Sequence, residues 1–223
     1  MKRRWNLGAF LMVLILLQFG FPVTLYGDWW TGLYMLLYAW MVVSGILTVR
    51  DERDRLVPLL VITPVFLVFG IWVAFDQQNE DARLGMLVSL GLFQVGLAYS
   101  LGKFIFRRSG APGADLIQAA VCVYLLIGGV FAAVFSSMEI LWQGSFQDTV
   151  HPETYLAWQQ LTYFSYVTQA TLGYGDILPV HPWARSLAAL QAVGGTLFLA
   201  TVIARIVGAY VAKQGTDEER PHE

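Results

Sequence analysis

The sequence predicts an all-α membrane protein with six transmembrane helices, and a short re-entrant helix and loop between the fifth and the sixth. Three observations carry this. Of 223 residues, 57% are apolar and only 13% charged, against roughly 45–50% and about 25% in a soluble domain, and mean hydropathy is +0.56. So much apolar surface cannot be hidden in a water-soluble core of this size. Six uncharged stretches approach the roughly 20 residues that a helix needs to cross about 30 Å of hydrocarbon. Finally, the basic residues fall almost entirely on one side of those stretches.

The first run, Trp5–Tyr26, follows Met1-Lys2-Arg3-Arg4. It is long and no Ala-x-Ala site follows, so it reads as an anchor rather than a signal peptide. Trp29–Val49, Leu56–Phe75, Leu84–Gly102 and Leu116–Met138 come next, none with a charged side chain. The sixth, Ser186–Ala204, is framed by Arg185 and Arg205. Between the last two lies Glu139–Pro182, polar at first and then apolar and aromatic from Tyr155 to Ala170. As a helix that second part is roughly 24 Å long, too short to cross comfortably. Pro152 suits its start and Gly173 its stop. A helix that enters a membrane partway and returns as irregular backbone is tolerated only where it lines a cavity or pore.

With the N-terminus in the cytoplasm, the inner segments hold Lys2, Arg3, Arg4, Arg50, Arg53, Arg55, Lys103, Arg107, Arg108, Arg205, Lys213 and Arg220, which is 12 of the 14 basic residues. Only Arg83 and Arg185 fall outside, as the positive-inside rule expects, and both termini are then cytoplasmic. The outer segments carry Asp28, Asp76, Glu80, Asp81, Glu139, Asp148, Glu153 and Asp176. Most read as solvated loop residues, while Asp176 is placed to attract cations.

Several classes are excluded. The lone Cys122 rules out an intrachain disulfide framework and a cysteine metal cluster. His151, His181 and His222 have no metal-ligand spacing. A formal charge of −2 argues against nucleic acid as a partner. An enzyme would need a convergent nucleophile, base or metal set in the spans, and an ion-coupled transporter would need intramembrane ionisable groups; spans one to five have neither.

The decisive motif is Thr171-Leu172-Gly173-Tyr174-Gly175-Asp176, preceded by Tyr163-Phe164-Ser165-Tyr166-Val167-Thr168-Gln169-Ala170. It resembles the potassium-channel family, whose selectivity filter reads Thr-x-Gly-Tyr-Gly, and the likeness spans roughly residues 116–212. An ion that sheds its water needs a ring of carbonyl oxygens in its place, and Gly173 and Gly175 allow the positive φ that aims successive carbonyls one way. The resemblance implies a homotetramer around a central pore, with K+ held by the carbonyls of Thr171, Leu172, Gly173 and Tyr174 and by the Thr171 hydroxyl. Potassium ions in the filter are then the only cofactor-like species. Tyr174 would face the pore helix, Asp176 would sit at the outer mouth, and Tyr163, Phe164, Val167, Thr168 and Ala170 would support the filter. The C-terminus of the pore helix, with its partial negative charge, would stabilise a cation.

The chain departs from the pattern at three places. Relatives commonly have Thr where Ala170 stands, many have two Trp at Tyr163 and Phe164, and some have Glu at Val167, which can pair with the filter aspartate as Val cannot. A nonselective or non-conducting cation-channel homologue is therefore the alternative reading.

The implied organisation is a voltage-sensor-like module without sensor charges over 1–108 and a pore domain over 109–213. Within the latter the outer helix covers 116–138, the pore helix about 155–170, the filter 171–176 and the inner helix 183–212. A charged, disordered cytoplasmic tail of 214–223 completes the chain. Leu84–Gly102 holds no base, so little or no voltage sensing is expected. The tail is too short for a ligand-binding domain, leaving regulation to a separate molecule. Gly194 and Gly195 read equally as an inner-helix hinge or as close packing. Arg205 reads as an inner-mouth residue or one that snorkels to lipid. The plasma membrane or a bacterial inner membrane is the expected location.

Overall fold

Apolar backbone without water must satisfy its own hydrogen bonds, so the uncharged runs become helices. The structure, a computed structural model, describes residues 2–49, 53–76, 78–107, 113–150 and 156–218. Its helices are α1 (Lys2–Phe19), α2 (Asp28–Val49), α3 (Arg53–Phe75), α4 (Glu80–Arg107), α5 (Gly113–Leu141), α6 (Trp158–Gln169) and α7 (Pro182–Glu218). Among the described residues, Leu56–Phe75, Glu80–Phe106, Gly113–Leu141 and Pro182–Gly208 are long and apolar enough to cross a membrane, and Leu7–Phe19 and Leu36–Val49 are shorter apolar helices.

Two expectations need correction. The run Trp5–Tyr26 is not one helix: α1 stops at Phe19, and a 3₁₀ turn covers Phe21–Tyr26. Pro22 explains this, because it lacks the N–H the helix would use and disfavours α geometry at Phe21. The tail is not irregular from residue 214, since α7 continues to Glu218; a helix already formed propagates through Lys213 and Gln214, both good helix formers. The all-α class stands, with one short strand pair beside the helices. Strands β1 (Phe146–Asp148) and β2 (Ile177–Pro179) pair antiparallel with Gln147 opposite Leu178.

At the centre is α5, with 15 of its 29 residues buried. It packs against α1, α4, α6 and α7. One apolar cluster joins α1, α2, α4 and α5 through Leu14, Leu17, Met41, Phe93, Leu97 and Leu126. A second joins the end of α5 to α6 and the strands through Phe135, Phe146, Phe164 and Ile177. The polar segment after α5 and the loop after α6 are thus fastened to one another.

Candidate functional site

The short helix α6 begins and ends inside the expected 155–170. Ala157 is its extended N-cap residue, and the Gln160 side-chain oxygen turns back to accept the Ala157 N–H at 2.9 Å. Pro152 and Tyr155 lie outside the described residues. Three of its side chains donate to backbone carbonyls of α5: Ser165 Oγ to Gly128 (2.7 Å), Tyr166 Oη to Leu125 (2.7 Å) and Gln169 Nε2 to Tyr124 (2.7 Å). Gly128 permits this, since a Cβ there would collide with the Tyr166 ring. From the other side, Gln191 Nε2 of α7 reaches Ser165 O, Ser165 Oγ and Gln169 Oε1 at 3.0, 2.8 and 3.2 Å.

The helix does not stop at Gly173, as expected, but two residues earlier. Leu172 N–H bonds to Val167 O (2.9 Å) and Thr171 N–H to Thr168 O (3.0 Å), the paired bonds of a Schellman ending. Its left-handed residue is Thr171, with φ +57°. That place is ordinarily glycine's, because a β-branched residue there is strained.

Beyond Thr171, left-handed residues recur at every second position: Gly173 has φ +57° and Gly175 φ +80°, while Leu172 and Tyr174 do not take positive φ. Among the described residues, no hydrogen bond reaches the carbonyls of Thr171, Leu172, Gly173 or Tyr174. The next carbonyls are engaged: Thr149 Oγ1 donates to Gly175 O (3.2 Å) and to Asp176 O (3.0 Å). The Tyr174 ring turns to α6, stacked on Tyr163 at 6.5 Å and 8°. Tyr163 Oη donates to Asp176 Oδ2 at 2.7 Å and Ile177 N–H to Oδ1 at 3.0 Å. Burial, and then the Asp176 carboxylate, push the Tyr163 phenol up to about 12.

Not every expected support residue touches the loop. Phe164 points away, its ring 5.3 Å from those of both Phe135 and Phe146. Val167 is buried and serves the loop through its carbonyl, as does Thr168. Ala170 caps α6. Gly195 is buried against the end of α6, where a Cβ would come within 2.9 Å of both Gln169 Cγ and Gln169 O, whereas Gly194 has nothing within 4 Å. Through both, α7 stays helical. Arg205 is half-buried, and its Nε has no partner among the described residues.

Two outer acids are not solvated loop residues. Glu139 is buried, 8% exposed, and its two oxygens accept Gly144 N–H (2.9 Å) and Phe146 N–H (3.1 Å). Buried Asp148 accepts from Val150 N–H and Gln160 Nε2. Together they shape the segment that presents Thr149. His181 stacks on Trp142 at 5.2 Å and 3°, and its Nδ1 accepts the Trp183 N–H; His151 and His222 lie outside the described residues.

Sequence reasoning missed Glu139, Thr149, Ser165, Gln169 and Gln191. The readable signal was polarity in apolar surroundings, since Gln191 interrupts an apolar span and Glu139 closes another. Nothing in sequence marked Thr149.

Residues 119–212 match the family model described as "Ion channel". The match runs from the first turns of α5 through α6 and the loop into α7, so this part of the chain is similar to ion-channel domains. No curated protein and no solved structure matches the chain.

Proposed function

We propose that the chain is the pore-forming subunit of a potassium-selective channel, a homotetramer of six-span subunits with its loops gathered on one axis. The observation that carries the reading is the set of carbonyls from Thr171 to Tyr174, which no donor among the described residues takes up. Residues alternating in the sign of φ gather peptide N–H groups on one side and carbonyls on the other, and positive φ at positions 171, 173 and 175 is what that arrangement needs. Four such loops would replace the water shell of K+ with protein oxygens.

Support for weak voltage dependence comes from α4, whose bases Arg83, Lys103 and Arg107 all sit near its ends. Lys103 Nζ rests 4.8 Å above the Tyr99 ring. Charges at helix ends cross little of the field, while each charge carried across is worth about 2.3 kcal/mol per 100 mV. The basic bias supports cytoplasmic termini in a plasma or bacterial inner membrane.

The test is the reversal potential of purified protein in planar bilayers, with potassium on one side and sodium on the other. A value near the potassium equilibrium potential is expected. Current reversing near zero would reject selectivity and point to Ala170 and the Tyr163–Phe164 pair. A Thr171→Ala protein that keeps full selectivity would reject the role assigned to the loop.

A further inference from the structure

Away from the loop, beside the first turns of α6, four other helices border a partly open cavity of about 30 Å³ lined by Gln18, Tyr38, Gln94, Ser136, Trp158 and Thr162. These come from α1, α2, α4, α5 and α6, so the site lies where the N-terminal helices meet the pore helix. The two glutamines are 6% and 2% exposed. They crowd α5 where it has no side chain: a Cβ on Gly129 would lie 2.7 Å from Gln94 Nε2 and 2.8 Å from Gln18 Nε2. Gln94 Oε1 is buried and has no hydrogen-bond donor among the described residues. Folds seldom leave an amide oxygen in that condition, because nothing repays its desolvation.

We propose that this cavity is an internal hydration site that binds water within the apolar thickness of the helix bundle. Water supplies what the walls lack. Its O–H groups donate to Gln94 Oε1 and to Thr162 Oγ1, whose own proton is already given to Trp158 O at 2.8 Å, leaving its lone pairs free. The size agrees: about 30 Å³ admits one or two waters and no acyl chain. Polar groups from several helices give such a water the two to four partners that hold one in place. The inference is independent of ion selectivity, since it rests on α1, α4 and α5 as much as on α6.

The experiment is water-edited solid-state NMR of the full chain, labelled with ¹⁵N-glutamine, in bilayers whose acyl chains carry protons distinguishable from water. The Gln94 side-chain amide is assigned by its loss in Gln94→Leu or, if that protein does not fold, by its displacement in Gln94→Asn. The expected result is polarisation transfer from water to Gln94 at mixing times too short to reach a buried backbone amide of α5 such as Leu126. Transfer from acyl-chain protons would overturn the proposal in favour of a lipid-filled crevice. Transfer from neither would overturn it in favour of a closed, dry contact.

Discussion

Gly194 and Gly195 are adjacent on α7, and replacing each with alanine should have opposite effects. Alanine in a helix is better than glycine by about 0.5–1 kcal/mol, because glycine loses more backbone freedom on folding. At Gly194 the new methyl meets nothing within 4 Å in its chain, so Gly194→Ala should be stabilising by that amount. At Gly195 it would lie 2.9 Å from the Gln169 carbonyl oxygen, which sits in backbone at the end of α6 and cannot swing aside. Overpacking costs about 1–3 kcal/mol, so Gly195→Ala should be net destabilising by about 1–2 kcal/mol. The assay is thermal unfolding in detergent, followed by tryptophan fluorescence, with open probability in bilayers as a second readout. At about 2–4 °C per kcal/mol, the two proteins should melt on opposite sides of the parent. If both melt higher and both open less, the pair is a hinge and the packing argument is refuted.

The remaining predictions concern the loop and its frame. Tyr163→Phe keeps the stacking on Tyr174 but removes the bond to Asp176, and should destabilise the outer loop by about 1–2 kcal/mol, measured as faster decay of potassium current. The phenol's value is raised from 10 to about 12, so its contribution is complete below pH 10 and is lost as pH rises through about 12. Alkaline unfolding should therefore lose one titrating component in Tyr163→Phe. Thr171→Gly should relieve left-handed strain of about 1–2 kcal/mol while removing the hydroxyl, giving equal or greater thermal stability with lost selectivity in reversal potentials. Glu139→Ala strands the amides of Gly144 and Phe146 and should cost about 1–3 kcal/mol, read as a lower melting temperature, with the Thr149 contacts loosened in the same protein.

How much of this was readable beforehand depends on which forces set each feature. The apolar runs were legible because the length of a run and its lack of charge decide a helix in lipid. Their ends were not, since α4 extends through Glu80 and Arg107 on helix propensity and long aliphatic stems that a hydropathy reading counts as polar. Pro22 was visible and underweighted; it breaks the first run because backbone geometry overrides apolar character. At the loop, the need for positive φ at Gly173 and Gly175 could be argued from glycine itself. Thr171 could not, because its left-handed backbone is imposed by the bonds closing α6 against its own preference. Glu139 was misjudged because net charge on a face says nothing about which carboxylate has folded inward to hold amides.

The grip of α6 on α5 has a consequence for how this joint can change over time. Ser165, Tyr166 and Gln169 all address carbonyls, and every residue type carries a carbonyl. Leu125 therefore contributes its carbonyl whatever side chain it bears, whereas Tyr124 also donates its own hydroxyl to Gln169 O at 3.3 Å and Gly128 is restricted by the space the Tyr166 ring takes. Most of the polar information for docking is thus written on α6. Substitutions at Leu125 can drift without an answering change in α6, so paired variation would be silent at that contact and visible at Tyr124, Gly128 and Phe135.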